Sequence, residues 1–151
     1  MKRCLPLLYL AISAAQAWSP EPTAMTNAAA HEVLSLNGRW NTIVDPNDNG
    51  YFNYRLEPFD ATVPATGGYF LDRKPATPSE LIEYDFDQSP VLNVPGDWNS
   101  QDDKLLYYEG TVWYRRKFDF TPSAPDKRQF IHFGGANYEA HVYLNGKKLG
   151  V

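Results

Sequence analysis

The stretch from Val94 to Tyr114, VPGDWNSQDDKLLYYEGTVWY, holds the residues best suited to chemistry. Five polar side chains, Asp97, Asn99, Gln101, Asp102 and Asp103, are crowded against three aromatic ones, Trp98, Tyr107 and Tyr108. That mixture suits a sugar, which offers an apolar ring face and a rim of hydroxyls. Polar groups placed on that rim reject analogues that lack it. The competing use of the same residues is packing, since Tyr and Trp also serve as strand-face residues whose polar tips find a partner.

A retaining glycosidase needs two carboxyls about 5 Å apart, one as nucleophile and one as acid and base. Asp85, Asp87, Asp97, Asp102, Asp103 and Glu109 stand in or near the stretch, but no spacing marks a matched pair. No catalytic residue is therefore assigned. Asp45-Pro46-Asn47-Asp48-Asn49-Gly50 begins like a calcium loop, D-x-N-x-N-G. Such a loop needs Glu six residues after the glycine. Leu56 stands there, with Glu57 one place late, so a plain turn is the better reading. His31, His132 and His141 share no metal-ligand spacing; in strands, the last two read as surface or hydrogen-bonded residues. No metal and no cofactor is expected.

The elements that must position the stretch read as short strands between turns. The chain has 151 residues, with 43% hydrophobic, 15% aromatic and 21% charged residues, enough for one domain with a real core. Twelve prolines and ten glycines favour many turns. Trp40–Val44 alternates as a half-buried strand does, and Tyr51–Phe59 alternates as well. Asp60–Ser79 reads as a long loop, Ser79–Glu83 as a short helical start and Val91–Val94 as a strand. Thr111–Phe120 is the best strand. Val112, Tyr114, Arg116, Phe118 and Phe120 are expected on its core face, with Arg115 and Lys117 on a solvated face. Gln129–Phe133 reads as another strand. Ala140–Leu144 and Lys148–Gly150 read as a hairpin about Asn145-Gly146, the strongest short hairpin signal. No helical period, internal repeat or phosphate-cradling loop is seen. The net charge of −4 and the mixed signs argue against a nucleic-acid partner.

The first residues read as an export signal: Met1-Lys2-Arg3, then a mostly apolar segment, then Ala15-Gln16-Ala17 as a cleavage site. Residues 1–17 are expected to be removed, 18–32 to form a flexible leader, and 33–151 to form the domain. The product would be periplasmic or extracellular. The apolar segment is too short for a membrane span. Cys4 is the single cysteine, so the processed chain is expected to hold neither a disulfide nor a thiol site.

The string VPGDWN…LLYYEGTVWYRRKF, with LNGRW before it and NYEAHVYLNGKKLG after it, resembles the amino-terminal domain of glycoside hydrolase family 2, which includes β-galactosidases and β-glucuronidases. The resemblance runs from about Leu34 to Val151 and implies an all-β, jelly-roll β-sandwich of the galactose-binding-domain kind. It implies that the strand set here is incomplete at the carboxyl end. It also implies that both catalytic glutamates lie in a later barrel domain. In some β-galactosidases, the polar residue before Trp in VP-x-x-W reaches the sugar. The matching residue here is Asp97, an Asp where those enzymes have Asn. Its alternative role is to cap the turn after Gly96. Asn99 is a second candidate contact, and Trp98 is expected to anchor the loop from below.

The reading that follows is an accessory domain of an exported, retaining β-glycosidase, inactive alone. Its partners would be a terminal β-linked sugar and the other domains of the parent chain. Homo-oligomerisation is left open. A stand-alone carbohydrate-binding module and a ligand-free interaction sandwich are the alternatives. Which sugar is bound does not follow from the residues.

Overall fold

The computed structural model describes residues 32–122, 124, 126 and 128–151. The chain divides into two units, Met1–Leu34 and Ser35–Val151. In the first, the described residues 32–34 hold no helix or strand. The expected signal and most of the expected leader lie outside the described residues.

The second unit is all-β, with antiparallel sheets and no α-helix among the described residues. Its strands are β1 (Gly38–Asp45), β2 (Val91–Val94), β3 (Thr111–Arg115), β4 (Val142–Leu144) and β5 (Lys147–Gly150). One sheet runs in the order β2-β1-β3, with Trp40 opposite Leu92 and Ile43 opposite Trp113. The other sheet is the β4–β5 hairpin. Its turn residues Asn145 and Gly146 have φ of 50° and 76°. Positive φ at both central positions is what a tight hairpin turn with Asn-Gly requires.

β1 is the centre of the unit. Thr42 and Ile43 point to opposite faces, as neighbours in a strand must, and both are buried. The sheet is therefore covered on both sides at β1. Ile43, Asp45, Trp113 and Arg115 share one face by register. On that face Trp113 lies against Tyr69, Phe70 and Tyr143, with ring centroids 5.5, 6.3 and 6.2 Å away. Phe70 and Tyr143 stack at 4.3 Å with planes 6° apart, which joins the β4–β5 hairpin to the 69–71 turn. The buried apolar core is Ile43, Phe70, Phe86, Leu92 and Leu105.

Several expected elements fall short. β3 ends at Arg115, and Phe118 and Phe120 are exposed. Tyr51–Phe59 makes only a Phe52–Pro58 bridge, because the Asn53 side chain accepts the amide N–H groups of Arg55 and Glu57 and closes a turn between them. Leu56 takes φ of 59° inside that turn. Ser79–Glu83 forms no helix, and Gln129–Phe133 forms no strand.

Arg115 is not on a solvated face. Its guanidinium pairs with Asp72 at 2.5 Å and with Asp87, and lies 5.0 Å over the Phe86 ring. Lys74 meets Asp87 at 2.6 Å and Asp85 at 3.4 Å, and Lys117 meets Asp87 at 3.4 Å. This network fastens the 72–87 segment to β3. Alternation alone assigned the faces, and it carries no information about which loop covers the second face.

Candidate functional site

The Val94–Thr111 loop leaves the edge of the sheet at β2 and re-enters at β3 on the opposite edge. Its backbone is held mainly by its own side chains. Gln101 acts as a substitute strand: its Oε1 accepts the Asn93 N–H at 2.7 Å, and its Nε2 donates to Asn93 O and Asp97 O, both at 3.0 Å. An edge strand otherwise presents unpaired backbone groups. The Gln101 amide satisfies those of Asn93 and ties them to the turn at Asp97. Gly96 makes room for it, since a Cβ there would lie 2.6 Å from Gln101 Nε2. Sequence reasoning placed Gln101 among the polar residues but missed this role, because nothing in the spacing of Asn93 and Gln101 announces it.

Asp97 is exposed, and its carboxylate serves the turn. Oδ1 accepts the Ser100 N–H at 2.8 Å and Oδ2 the Ser100 hydroxyl at 2.9 Å. These bonds, the hydroxyl first, hold the Asp97 carboxyl below its usual range. The carboxylate is thus a fixed anion at the surface of the loop, and the capping role expected as its alternative is present.

Asn99 is half-buried and faces inward with its amide nitrogen. Nδ2 donates to Leu105 O at 2.6 Å and Tyr108 O at 3.1 Å, with Leu106 O at 3.4 Å. Trp98 supports the same turn from beside it. Its indole N–H donates to Tyr108 O at 3.2 Å, and its ring meets the Tyr108 ring edge-on at 6.5 Å. The Tyr108 hydroxyl donates to Thr111 O at 2.9 Å. Burial first, then the charges of Asp45 and Asp48, raise the Tyr108 hydroxyl above its ordinary range, so it remains a donor. Gly110 lies directly under that ring: a Cβ there would sit 2.6 Å from the hydroxyl oxygen. Asp102 caps the single 3₁₀ turn Asp103–Leu105 by accepting the Lys104 N–H at 2.9 Å, and Leu105 is buried.

Asp97 and Asn99 therefore belong to one loop, with Asp97 outward and the Asn99 nitrogen inward. Tyr114 on β3 feels the loop as well: burial, then the Asp97 charge, raise its hydroxyl above the ordinary range. Depressions of about 590 and 640 Å³ lie elsewhere, one between 129–133 and β5, the other over β1 beside 80–85, and neither is lined by Asp97 or Asn99.

The calcium-like turn is built around a buried carboxylate. Asp45 accepts the N–H groups of Asn49 at 2.9 Å and Gly50 at 2.8 Å, together with the Trp113 indole N–H at 2.9 Å. Those donors occupy the oxygens that a cation would need. Among the described residues, no group of three or more His, Cys, Asp or Glu side chains is placed to hold a metal ion. His132 is exposed, whereas His141 Nε2 meets Glu139 at 2.5 Å and its ring packs edge-on against Tyr51. Among the described residues no helix is long and apolar enough to cross a membrane.

No protein-family model matches the chain. It is similar to a protein of Formosa agariphila named "Putative beta-glucuronidase", with 33% identity over 70 residues. The alignment covers 40% of this chain and 7% of that protein, so the chain spans only a small part of its relative. The similarity is compatible with a glycosidase.

Proposed function

We propose that this chain is the amino-terminal, sugar-contacting domain of an exported, retaining β-glycosidase of glycoside hydrolase family 2, acting on a terminal β-linked glucuronic acid or galactose. The observation that carries this reading is the 33% identity to the Formosa agariphila protein. The all-β, antiparallel architecture supports it too, and the short strands here would be part of a jelly-roll sandwich. In this reading the domain supplies no catalytic carboxyl. The acid/base and the nucleophile stand on another domain of the whole protein, and the Asp97 loop meets the sugar beside them. Asp97 would accept a sugar hydroxyl through lone pairs left over from Ser100, since an ionised carboxylate has room for about four acceptors. Asn99 would act from beneath the loop.

The test is to express the full reading frame that contains this chain and assay it on nitrophenyl β-glucuronide and nitrophenyl β-galactoside. Hydrolysis of one of them, with the β-anomer released first, is the expected result. A frame that encodes no further domain, or a full-length product inert on both, overturns the reading.

A further inference from the structure

The Asp97 carboxylate is held in one setting by a single residue. The Ser100 N–H donates to Oδ1 at 2.8 Å and the Ser100 hydroxyl to Oδ2 at 2.9 Å. Each oxygen is engaged by Ser100 once and keeps a further lone pair. Asp97 is exposed and has no ion pair among the described residues. The Ser100 bonds, the hydroxyl first, hold its carboxyl below the usual range, so it is an anion at neutral pH. An ionised carboxylate only accepts hydrogen bonds. The group that meets it must bring a proton, as a hydroxyl does and a second carboxylate does not.

The surroundings carry the same sign. Residues 94–114 hold Asp97, Asp102, Asp103 and Glu109 against a single cation, Lys104. Asp103 and Glu109 are exposed, and neither has an ion pair among the described residues. Two arginines stand at the ends of the neighbouring strands. Arg116, after β3, donates to Arg39 O at 2.6 Å. Arg39 shares a sheet face with Asn41 and Arg115, whereas the Asp97 charge is felt by Tyr114 on the opposite face.

We infer that Asp97, set by Ser100, makes this site selective against uronic acids, so that the terminal sugar it accepts carries no negative charge. The inference rests on the sugar-contacting reading of the Asp97 loop, in which other domains enclose the sugar, and it chooses between the two sugars that reading allows. Like charges brought together across a binding site repel, and the penalty falls only on the charged substrate. Specificity then comes from a repulsive element against one sugar as much as from contacts with the other. Ser100 is a positioning residue that acts through Asp97.

The experiment uses the full-length product and two matched pairs of nitrophenyl substrates, β-galactoside with β-galacturonide and β-glucoside with β-glucuronide. Within each pair the leaving group is shared and only C6 differs, hydroxymethyl against carboxylate. In the pair it cleaves faster, the wild type should favour the neutral sugar in kcat/KM by about tenfold or more. Asp97→Asn keeps the shape and removes the charge, and should shrink that preference by about tenfold. Where turnover of the uronide is too slow to time, inhibition constants for the free uronate and the free neutral sugar read the same ratio. Ser100→Ala should shrink the preference by about threefold, and Ser100→Thr, which keeps the hydroxyl, should restore it. Added salt should narrow the wild-type preference more than that of Asp97→Asn, because it screens exposed charges. A wild type that favours the uronide, a preference unchanged in Asp97→Asn, or equal salt responses would each overturn the inference and leave the glycosidase reading standing. A product inert on both the galactoside and the glucuronide overturns the underlying reading itself.

Discussion

The Trp113 indole on β3 donates a 2.9 Å hydrogen bond to Oδ2 of Asp45 on β1, diagonally across the face that both strands share. Asp45 is 1% exposed, the most deeply buried charged side chain among the described residues. It joins the sheet to the turn that follows β1, because the same carboxylate takes the Asn49 and Gly50 N–H groups. A buried carboxylate is tolerated only when its lone pairs are met by donors.

Replacing Asp45 with Ala leaves those donors without partners inside the fold. Asp45→Ala should cost on the order of 3 kcal/mol of unfolding free energy. Denaturant titration followed by Trp fluorescence measures it. A loss below about 1 kcal/mol would show that the carboxylate is dispensable.

Gly50 stands against the same aromatic wall. A Cβ there would lie 2.3 Å from Tyr69 Cδ2 and 2.7 Å from Trp113 Nε1, distances that no side chain shift of a few tenths of an ångström relieves. Gly50→Ala should destabilise by about 1–3 kcal/mol through overpacking. It should also weaken the near-ultraviolet dichroism of the aromatic cluster. Gly134→Ala is the control, because a Cβ at that position meets nothing within 4 Å; it should stay within about 0.5 kcal/mol of wild type. Equal effects from the two changes would contradict the packing described for Gly50.

These contacts mark where sequence reasoning succeeded and where it stopped. β1, β2, β3 as far as Arg115 and the Asn145-Gly146 hairpin were legible, because period-two alternation and turn chemistry are local signals. The covering of the Trp113 and Arg115 face was not. It depends on Phe70, Tyr143 and the aspartates at 72 and 87 arriving from distant parts of the chain. Tyr51–Phe59 alternates, yet the local bonds of Asn53 to the backbone win over strand pairing there. In the Asp97 loop the turn role of Asp97 was legible from Gly96-Asp97. The inward clasp of Asn99 and the edge cap by Gln101 were not, since each needs the path of the loop back on itself.

Asn99 and Asp97 should separate cleanly in stability. Asn99→Ala removes the amide that gathers Leu105 O, Leu106 O and Tyr108 O. The expected loss is about 1–2 kcal/mol, with faster proteolysis between Lys104 and Tyr107. Asp97→Ala removes only exposed bonds to Ser100, so its unfolding midpoint should stay close to wild type. Limited trypsin digestion together with denaturant titration makes the comparison. If Asp97→Ala were the more damaging of the two, the assignment of inward and outward roles would be wrong.

Acid should loosen the β4–β5 hairpin through Asp60. Its carboxylate accepts the Tyr143 hydroxyl at 2.8 Å and pairs with Lys148 at 3.0 Å. Burial alone would raise the Asp60 carboxyl, but the Tyr143 and Lys148 bonds outweigh it and hold it below the ordinary range. A carboxyl whose folded pKa is depressed contributes its stability above the unfolded value of about 4, and that contribution is lost as the pH falls through the folded value. Lys148 is the mirror case. Burial would lower it, yet Asp60 and Tyr51 outweigh that and raise it, so its share is present below the unfolded value of about 10.4 and fades as the pH rises further. The contact therefore acts across the whole neutral range. Asp60→Asn should be less stable than wild type at pH 7, and the gap should narrow as the pH is lowered below about 4. Denaturant titrations at several pH values measure the two slopes, and parallel curves for wild type and Asp60→Asn would show that Asp60 does not fasten the hairpin as an anion.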